Sequence, residues 1–517
     1  MSEPTRRLPL QTFTVTRPAV RARGGMVAAQ HVEAARVGAA ILEAGGNAVD
    51  AALAASLALA VLEPWMSGLG GGGFMLVAPA DGAPKVLDFG MVAPRALDPA
   101  AYPLAAGRDS DLFGWPAVED DRNVSGPLAI AAPAQAHGLD LAHRTFASMP
   151  WADLAAPAIA LARDGCPVSW HTTLRIAIAA RELDRLSARA VYLPDGLPPV
   201  PEAGPLRLGA LEATLRRLAD AGPRDLIDGE LARLLVEDLR AQGAVLTMDD
   251  LAGADARLGA PLELARGDAR LLAAPGLSAG PTLGHALEVA GAIGLGAPDA
   301  ATYAAWAEGL LQAHERRLET MGDVDDGRAP ACTTHLCAVD RQGTMVSLTQ
   351  TLLSVFGSKV VSPSTGILMN NGVMWFDPRP GRPNSIAPGK RPLSNMCPAI
   401  GVRGGRPWFA LGASGGRRIL PAVMQIASML ADCGLDLEGA FHTPRINVWG
   451  QPTVDVDPRL PDEVIAALRA QHPVQPVEPT IYPGGYACPS AVLRDDDGGF
   501  VGMADLMHPH AGAIGPG

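Results

Sequence analysis

The chain has 517 residues, 48% of them hydrophobic but only 4% aromatic, and a formal net charge of −12. That length supplies one large domain or two to four smaller ones, and the scarcity of aromatics predicts a core of small aliphatic contacts. The acidic balance excludes the basic face that nucleic acid or an anionic membrane requires, and leaves small molecules open as partners.

The first 26 residues hold no apolar stretch of the kind a secretory signal carries. The longest apolar run, about residues 51–62, is far short of the ~20 residues of a membrane-spanning helix. Six cysteines (Cys166, Cys332, Cys337, Cys397, Cys433, Cys488) are scattered with no CxxC. They read as reduced, buried thiols rather than a disulfide framework or a zinc site. Together these features predict a cytoplasmic protein with neither metal nor cofactor.

Residues 31–44 have apolar positions at helical spacing and stop at Gly45-Gly46. Asn47 then caps a second helix with Asp50 in the reciprocal position. That helix, AVDAALAASLALAVL, is apolar nearly all round and is expected to be buried. Pro64 ends it, and the glycine loop SGLGGGGFMLVAP follows. Gly68, Gly70 and Gly73 fit G-x-G-x-x-G, but here a helix precedes and a strand follows, the reverse of a dinucleotide site. No P-loop signature is present. The remaining reading is a tight turn that brings backbone close to something else. Residues 79–125 read as loop-rich, and 150–253 as helical, with a capping box at Thr247–Asp250. Another helix is expected around 301–320. Residues 333–420 alternate with period two and read as strands, interrupted by the irregular DPRPGRPNSIAPGKRP. Helices return at 419–432 and 461–471, and a final hairpin lies within 484–505. The order predicts one intertwined α+β domain.

The stretch CTTHLCAVDRQGTMVSLTQT, residues 332–351, reads as a hairpin turning at Arg341-Gln342-Gly343. Opposed residues then have numbers that add to 684. Thr333 sits opposite Thr351, His335 opposite Thr349, and Cys337 opposite Ser347, on a hydroxyl-rich face. Leu336/Leu348 and Ala338/Val346 form an apolar face. Cross-strand threonine pairs stabilise sheets without doing chemistry. A threonine hydroxyl becomes a nucleophile only with a base beside it, and the freed α-amino group made by cutting between Cys332 and Thr333 is one such base.

The sequence around this hairpin closely resembles the γ-glutamyltranspeptidase family of N-terminal-nucleophile hydrolases. The blocks AARVGAAILEAGGNAVDAALAASLALAVLEPWMSGLGGGGFMLV, TTHLCAVDRQGTMVSLTQT, GILMNN, GKRPLSNMCPAI and GASGGRRIL occur in the family's order. The resemblance implies a four-layer αββα sandwich and a precursor that cuts itself before Thr333. Its products are a large chain, 1–332, and a small chain, 333–517, which stay together as a heterodimer. It implies Thr333 as nucleophile, Thr351 as its hydrogen-bonding partner, and Gly415-Gly416 as the oxyanion hole.

Several family positions are altered. The carboxylate-binding arginine is replaced by Gly90 in DFGMVAP, and a polar residue after the second threonine by Leu353. The glutamine and acidic residue after NN become Gly372 and Trp375, and in the serine pair Ser394 is kept while the second is Asn395. The loop between Asn371 and Pro392 is short, so the family's lid is expected to be reduced. A pocket without its charged clamps discriminates differently. The expected substrate is a small-molecule amide whose acyl group is less polar than γ-glutamate or carries one carboxylate. Asp377, Arg379, Arg382, Lys390 and Arg391 are candidates for a substitute charge. The alternatives are a genuine γ-glutamyl hydrolase or transpeptidase, and a ligand-binding homologue without turnover.

Overall fold

The computed structural model describes residues 11–108, 115–321, 333–482 and 484–516. Its framework is a pair of seven-stranded sheets. One sheet runs in the spatial order Gly512–Ile514, Gly25–Ala29, Thr334–Asp340, Met345–Thr351, Gly72–Ala78, Lys85–Phe89, Arg257–Gly259. The other runs Val20–Ala22, Phe500–Ala504, Cys488–Arg494, Arg406–Ser414, Ala399–Arg403, Ala269–Ala273, Leu262–Arg266. Each sheet therefore mixes strands from both sides of residue 333.

Helices cover the outer faces. Ala48–Leu62 is buried along its whole length and packs against the apolar side of the first sheet, through Leu336, Ala338, Val346 and Leu348. Asn47 accepts from the N–H groups of Val49 and Asp50, and Asp50 accepts from the Asn47 N–H, closing the expected capping box. Fully burying each of its leucines contributes about 1.5–3 kcal/mol. Gly280–Ala290, Ala300–Thr320 and Ile419–Ala431 cover the second sheet. A third apolar cluster, including Met26, Phe74, Trp375, Ile400 and Val492, lies between the sheets. The layers are helix, sheet, sheet, helix, as the expected αββα sandwich requires.

Two expectations need correction. Within 333–420 only Thr334–Asp340, Met345–Thr351, Ala399–Arg403 and Arg406–Ser414 are strands. The region between Thr351 and Ala399 is mostly irregular, because its backbone N–H groups bond to scattered turn and loop carbonyls and to side chains rather than along a ladder. Residues 79–125 include the core strand Lys85–Phe89. The strands Val20–Ala22, Gly25–Ala29, Leu262–Arg266 and Ala269–Ala273 and the helix Gly280–Ala290 are further elements that the sequence pattern did not mark.

Candidate active site

The hairpin has the expected register: Thr334 pairs with Gln350, His335 with Thr349, Leu336 with Leu348, Cys337 with Ser347 and Ala338 with Val346. Gly343 turns it at φ +90°, a conformation that L side chains rarely adopt. Asp340 Oδ1 accepts from the N–H groups of Gly343 (2.9 Å) and Thr344 (3.0 Å). The hydroxyl-rich face looks into the space between the sheets. Ser347 Oγ donates to Leu411 O at 2.9 Å, and the His335 ring fills the space where a Cβ on Gly412 would lie. His335 Nδ1 is 2.8 Å from Thr349 Oγ1, and burial pushes its pKa down to about 3, so this imidazole stays neutral. On the opposite face Gln350 Oε1 accepts from Ser56 Oγ (2.6 Å) and Gln135 Nε2 (2.7 Å), while Gln350 Nε2 donates to Ser67 Oγ (3.0 Å). A one-residue slip would break every one of these buried bonds.

At the open end of the hairpin Thr333 Oγ1 lies 3.4 Å from Thr351 Oγ1. Both residues are buried, and Thr351 Oγ1 also accepts from the Leu353 N–H at 2.8 Å. Leu353 itself has φ +82°, strained for a non-glycine residue and worth about 1–3 kcal/mol. The glycine loop abuts this end. A Cβ on Gly71 would stand 2.2 Å from Thr351 O, and one on Gly73 2.4 Å from Thr349 O. The loop is thus a close-approach turn with the threonine strand as its neighbour. Asn370 and Asn371 pin the irregular segment. Asn370 Oδ1 accepts from the Ala131 and Gly372 N–H groups and its amide donates to Gly70 O. Asn371 Oδ1 accepts from the Ser354 N–H.

Strand Arg406–Ser414 packs across the hairpin and runs into Gly415 at φ +140° and Gly416 at φ +58°. Contacts of Leu411 with Ser347 and of Gly412 with His335 show that it advances toward the Thr333 end. Neither glycine N–H donates a hydrogen bond among the described residues. A Cβ on Gly415 would lie 2.8 Å from Ala487 Cα. The helix Ile419–Ala431 starts immediately beyond.

Gly90, Trp375 and Ser394 come together in one recess, with Phe74, Met91 and Arg391. Asn395 is absent from this lining: its Oδ1 faces Arg317 Nη2 at 3.4 Å. Ser394 Oγ accepts from the Met396 N–H at 3.2 Å. At Gly372 a Cβ would meet the Ala131 Cβ at 2.8 Å and Met91 Sδ at 3.2 Å, so no long side chain fits. Of the loop charges, Arg379 chelates Asp377, and Lys390 Nζ donates to Pro383 O and Ser385 O. Arg391 is the one that enters the recess, donating from Nη1 to Gly90 O and lying 3.7 Å from Asp88 Oδ1. Cys332, the residue before the expected scissile bond, falls outside the described residues.

Arg317 was not singled out by sequence. It is buried, donates to Ser394 O (2.6 Å) and Thr282 Oγ1 (3.0 Å), and so fixes the turn carrying Ser394. Burial, with Arg417 nearby, pushes its pKa down to about 9. In sequence Arg317 lies in the polar run HERRLE and nothing distinguishes it from its solvated neighbours. A second cavity borders Gly415, and apart from that glycine its residues carried no sequence signal, since they come from eight separate segments.

A family model described as gamma-glutamyltranspeptidase matches residues 34–332 and 299–514. An acylase ACY 1 proenzyme from Pseudomonas sp. (strain V22) is 33% identical over 499 residues, covering 89% of this chain and 88% of that protein. The glutathione hydrolase proenzyme of Escherichia coli (strain K12) is 29% identical, covering 87% of this chain and 86% of its own. Among solved structures, a cephalosporin acylase from Bacillus halodurans superposes with a TM-score of 0.85 at 25% identity, covering 100% of this chain and 99% of that one.

Proposed function

Since the chain belongs to the γ-glutamyltranspeptidase family, and is an amide hydrolase or acyltransferase of that family, we propose that Thr333 is its nucleophile and that cleavage before Thr333 produces it. The observation that carries this is the buried Thr333–Thr351 pair, held at the end of a hairpin whose register sets the two threonines opposite each other. After cleavage the α-amino group of Thr333 takes the hydroxyl proton as Oγ attacks the amide carbonyl, then passes it to the departing amine. The Gly415 and Gly416 N–H groups receive the developing oxyanion. Water, or a second amine, releases the acyl group from Thr333. Chains 1–332 and 333–517 remain associated, because each sheet contains strands of both.

The acyl side is rebuilt relative to a γ-glutamyl pocket. Gly90 supplies no charge, Gly372 has no room for a longer side chain, and Trp375 is packed among Phe74, Met91 and Leu353. That two relatives are acylases fits an acyl group other than γ-glutamate. We assign the recess to a mainly apolar acyl chain, with Arg391 and Ser394 as its polar contacts. The test is a pair of p-nitroanilides. Glutaryl-p-nitroanilide is expected to turn over at least tenfold faster than γ-glutamyl-p-nitroanilide, and the reverse preference would restore the glutathione-type reading. A single uncut band on a denaturing gel, with Thr333 unlabelled by an acylating probe, would refute the enzymatic reading.

A further inference from the structure

The recess at Trp375 accounts for one half of an amide substrate. The second cavity lies on another side of the same centre and shares none of its lining with that recess. Three of its residues adjoin the reaction centre. Gly415 is one of the two proposed oxyanion glycines. Gln30 Oε1 accepts from Ser414 Oγ, and the carbonyl of Met66 accepts from the N–H of Leu352, next to Thr351.

The charges of this cavity do not cancel. Arg459 chelates Asp457 through Nε and Nη2 (3.0 and 2.5 Å), and Arg445 Nη2 lies 3.7 Å from Asp505. Arg175 is different. It is only 6% exposed, and its one described hydrogen bond is from Nε to His171 Nε2 at 3.2 Å. Among the described residues its two terminal nitrogens have no hydrogen-bond acceptor, and no carboxylate lies within 4.0 Å of it. The same cavity is lined by His171, His508 and Arg418, by Tyr486, whose hydroxyl is buried without a described partner, and by Arg445, whose Nη1 is likewise unpartnered among the described residues. Glu63 lies behind, 3.5 Å from His508 Nε2. Burial pushes the Glu63 carboxyl up to about 8 against the opposing pull of Arg175, with which it makes no ion pair within 4.0 Å among the described residues, and burial pushes His171 down to about 3. A buried guanidinium with unused donors is costly unless an anion meets it, and its fork matches a carboxylate.

We propose that this cavity is the amine-side subsite, and that Arg175, with Tyr486 and Arg445, binds a carboxylate carried by the leaving or accepting amine. The assignment rests on Thr333 and Gly415 being the reaction centre, and its test does not need turnover. Wild-type protein is titrated calorimetrically with 3-aminobenzoate and with its neutral counterpart 3-aminobenzamide. The carboxylate is expected to bind about 10- to 100-fold more tightly, the range of a charge-assisted hydrogen bond. Arg175→Met should abolish that preference, and Arg175→Lys should retain part of it. Equal affinity for the two probes in the wild type, or an undiminished preference in a folded Arg175→Met, would overturn the proposal. A preference lost in Arg391→Ala but not in Arg175→Met would place the carboxylate in the other recess and overturn it equally. Failure of the catalytic reading shows itself separately, as an uncut chain.

Discussion

The threonine end of the hairpin and the recess around Trp375 lie in the same protein but are built by opposite means. Thr333, Thr351 and Gly415 are placed by ladders and by buried bonds to two sheets and a helix. Gly90, Ser394 and Arg391 sit on irregular backbone and Trp375 ends the single 3-10 turn Gly372–Trp375, with side-chain clasps such as Asn384 Nδ2 to Trp375 O at 2.6 Å. Regular structure tolerates little change without losing register. A clasped loop exchanges one side chain for another at lower cost. The difference explains how a family can keep one bond-breaking device while changing what it breaks.

The largest expected effect attacks the fixed region. Thr333→Ala should abolish both the cut and amide turnover, read on a denaturing gel and with glutaryl-p-nitroanilide; a cut chain in that variant would show that another residue acts. Gly415→Ala places a Cβ 2.8 Å from Ala487 Cα in a backbone with φ +140°. It should lower kcat by about 10²–10³, the worth of an oxyanion donor, with KM little changed. Thr351→Val removes the hydroxyl that faces Thr333 and caps Leu353. It should slow processing about 10- to 100-fold, followed as the half-time of cleavage after refolding. In the clasped region, Trp375→Ala should leave processing intact and shift the glutaryl-to-γ-glutamyl ratio by about tenfold. If instead it stops processing, the two regions are not separable as described.

The smallest effect concerns pH. His31, His171 and His335 are held near pKa 3 by burial, below their ordinary 6.5. Between those values the unfolded chain binds protons that the native one refuses, so stability falls as pH drops below about 6.5. Glu63 has the opposite sign. Its carboxyl rises from 4.5 to about 8, the native state holds the extra proton, and stability falls as pH climbs through that window. Glu63→Gln should therefore raise Tm at pH 8 relative to pH 5 by a few degrees, measured by calorimetry. No change in that difference would show that Glu63 is already ionised.

Much of the rigid region was legible in the chain. Period-two alternation around a glycine turn was enough to pair Thr333 with Thr351, and Asn47 with Asp50 announced a cap that the structure contains. The strand Gly25–Ala29 escaped because it is buried on both faces and so has no alternation to read. Trp375 and Gly90 were marked only by resemblance, since nothing local brings residues 285 positions apart into one recess. Arg175 and His508 meet through the fold alone, and neither has a neighbour in sequence that hints at it.

The interleaving of the two sheets has a consequence for the cut protein. Strand Thr334–Asp340 is flanked by Gly25–Ala29 on one side and Met345–Thr351 on the other, and Cys488–Arg494 and Arg406–Ser414 share their sheet with Ala269–Ala273. If the chain is severed before Thr333 as proposed, the two pieces would have no common surface along which they could part and remain folded, so their separation and their denaturation would be one event. Isotopically labelled small chains mixed with unlabelled enzyme should exchange no faster than the whole molecule unfolds, and the mature protein should behave in dilution as a single polypeptide.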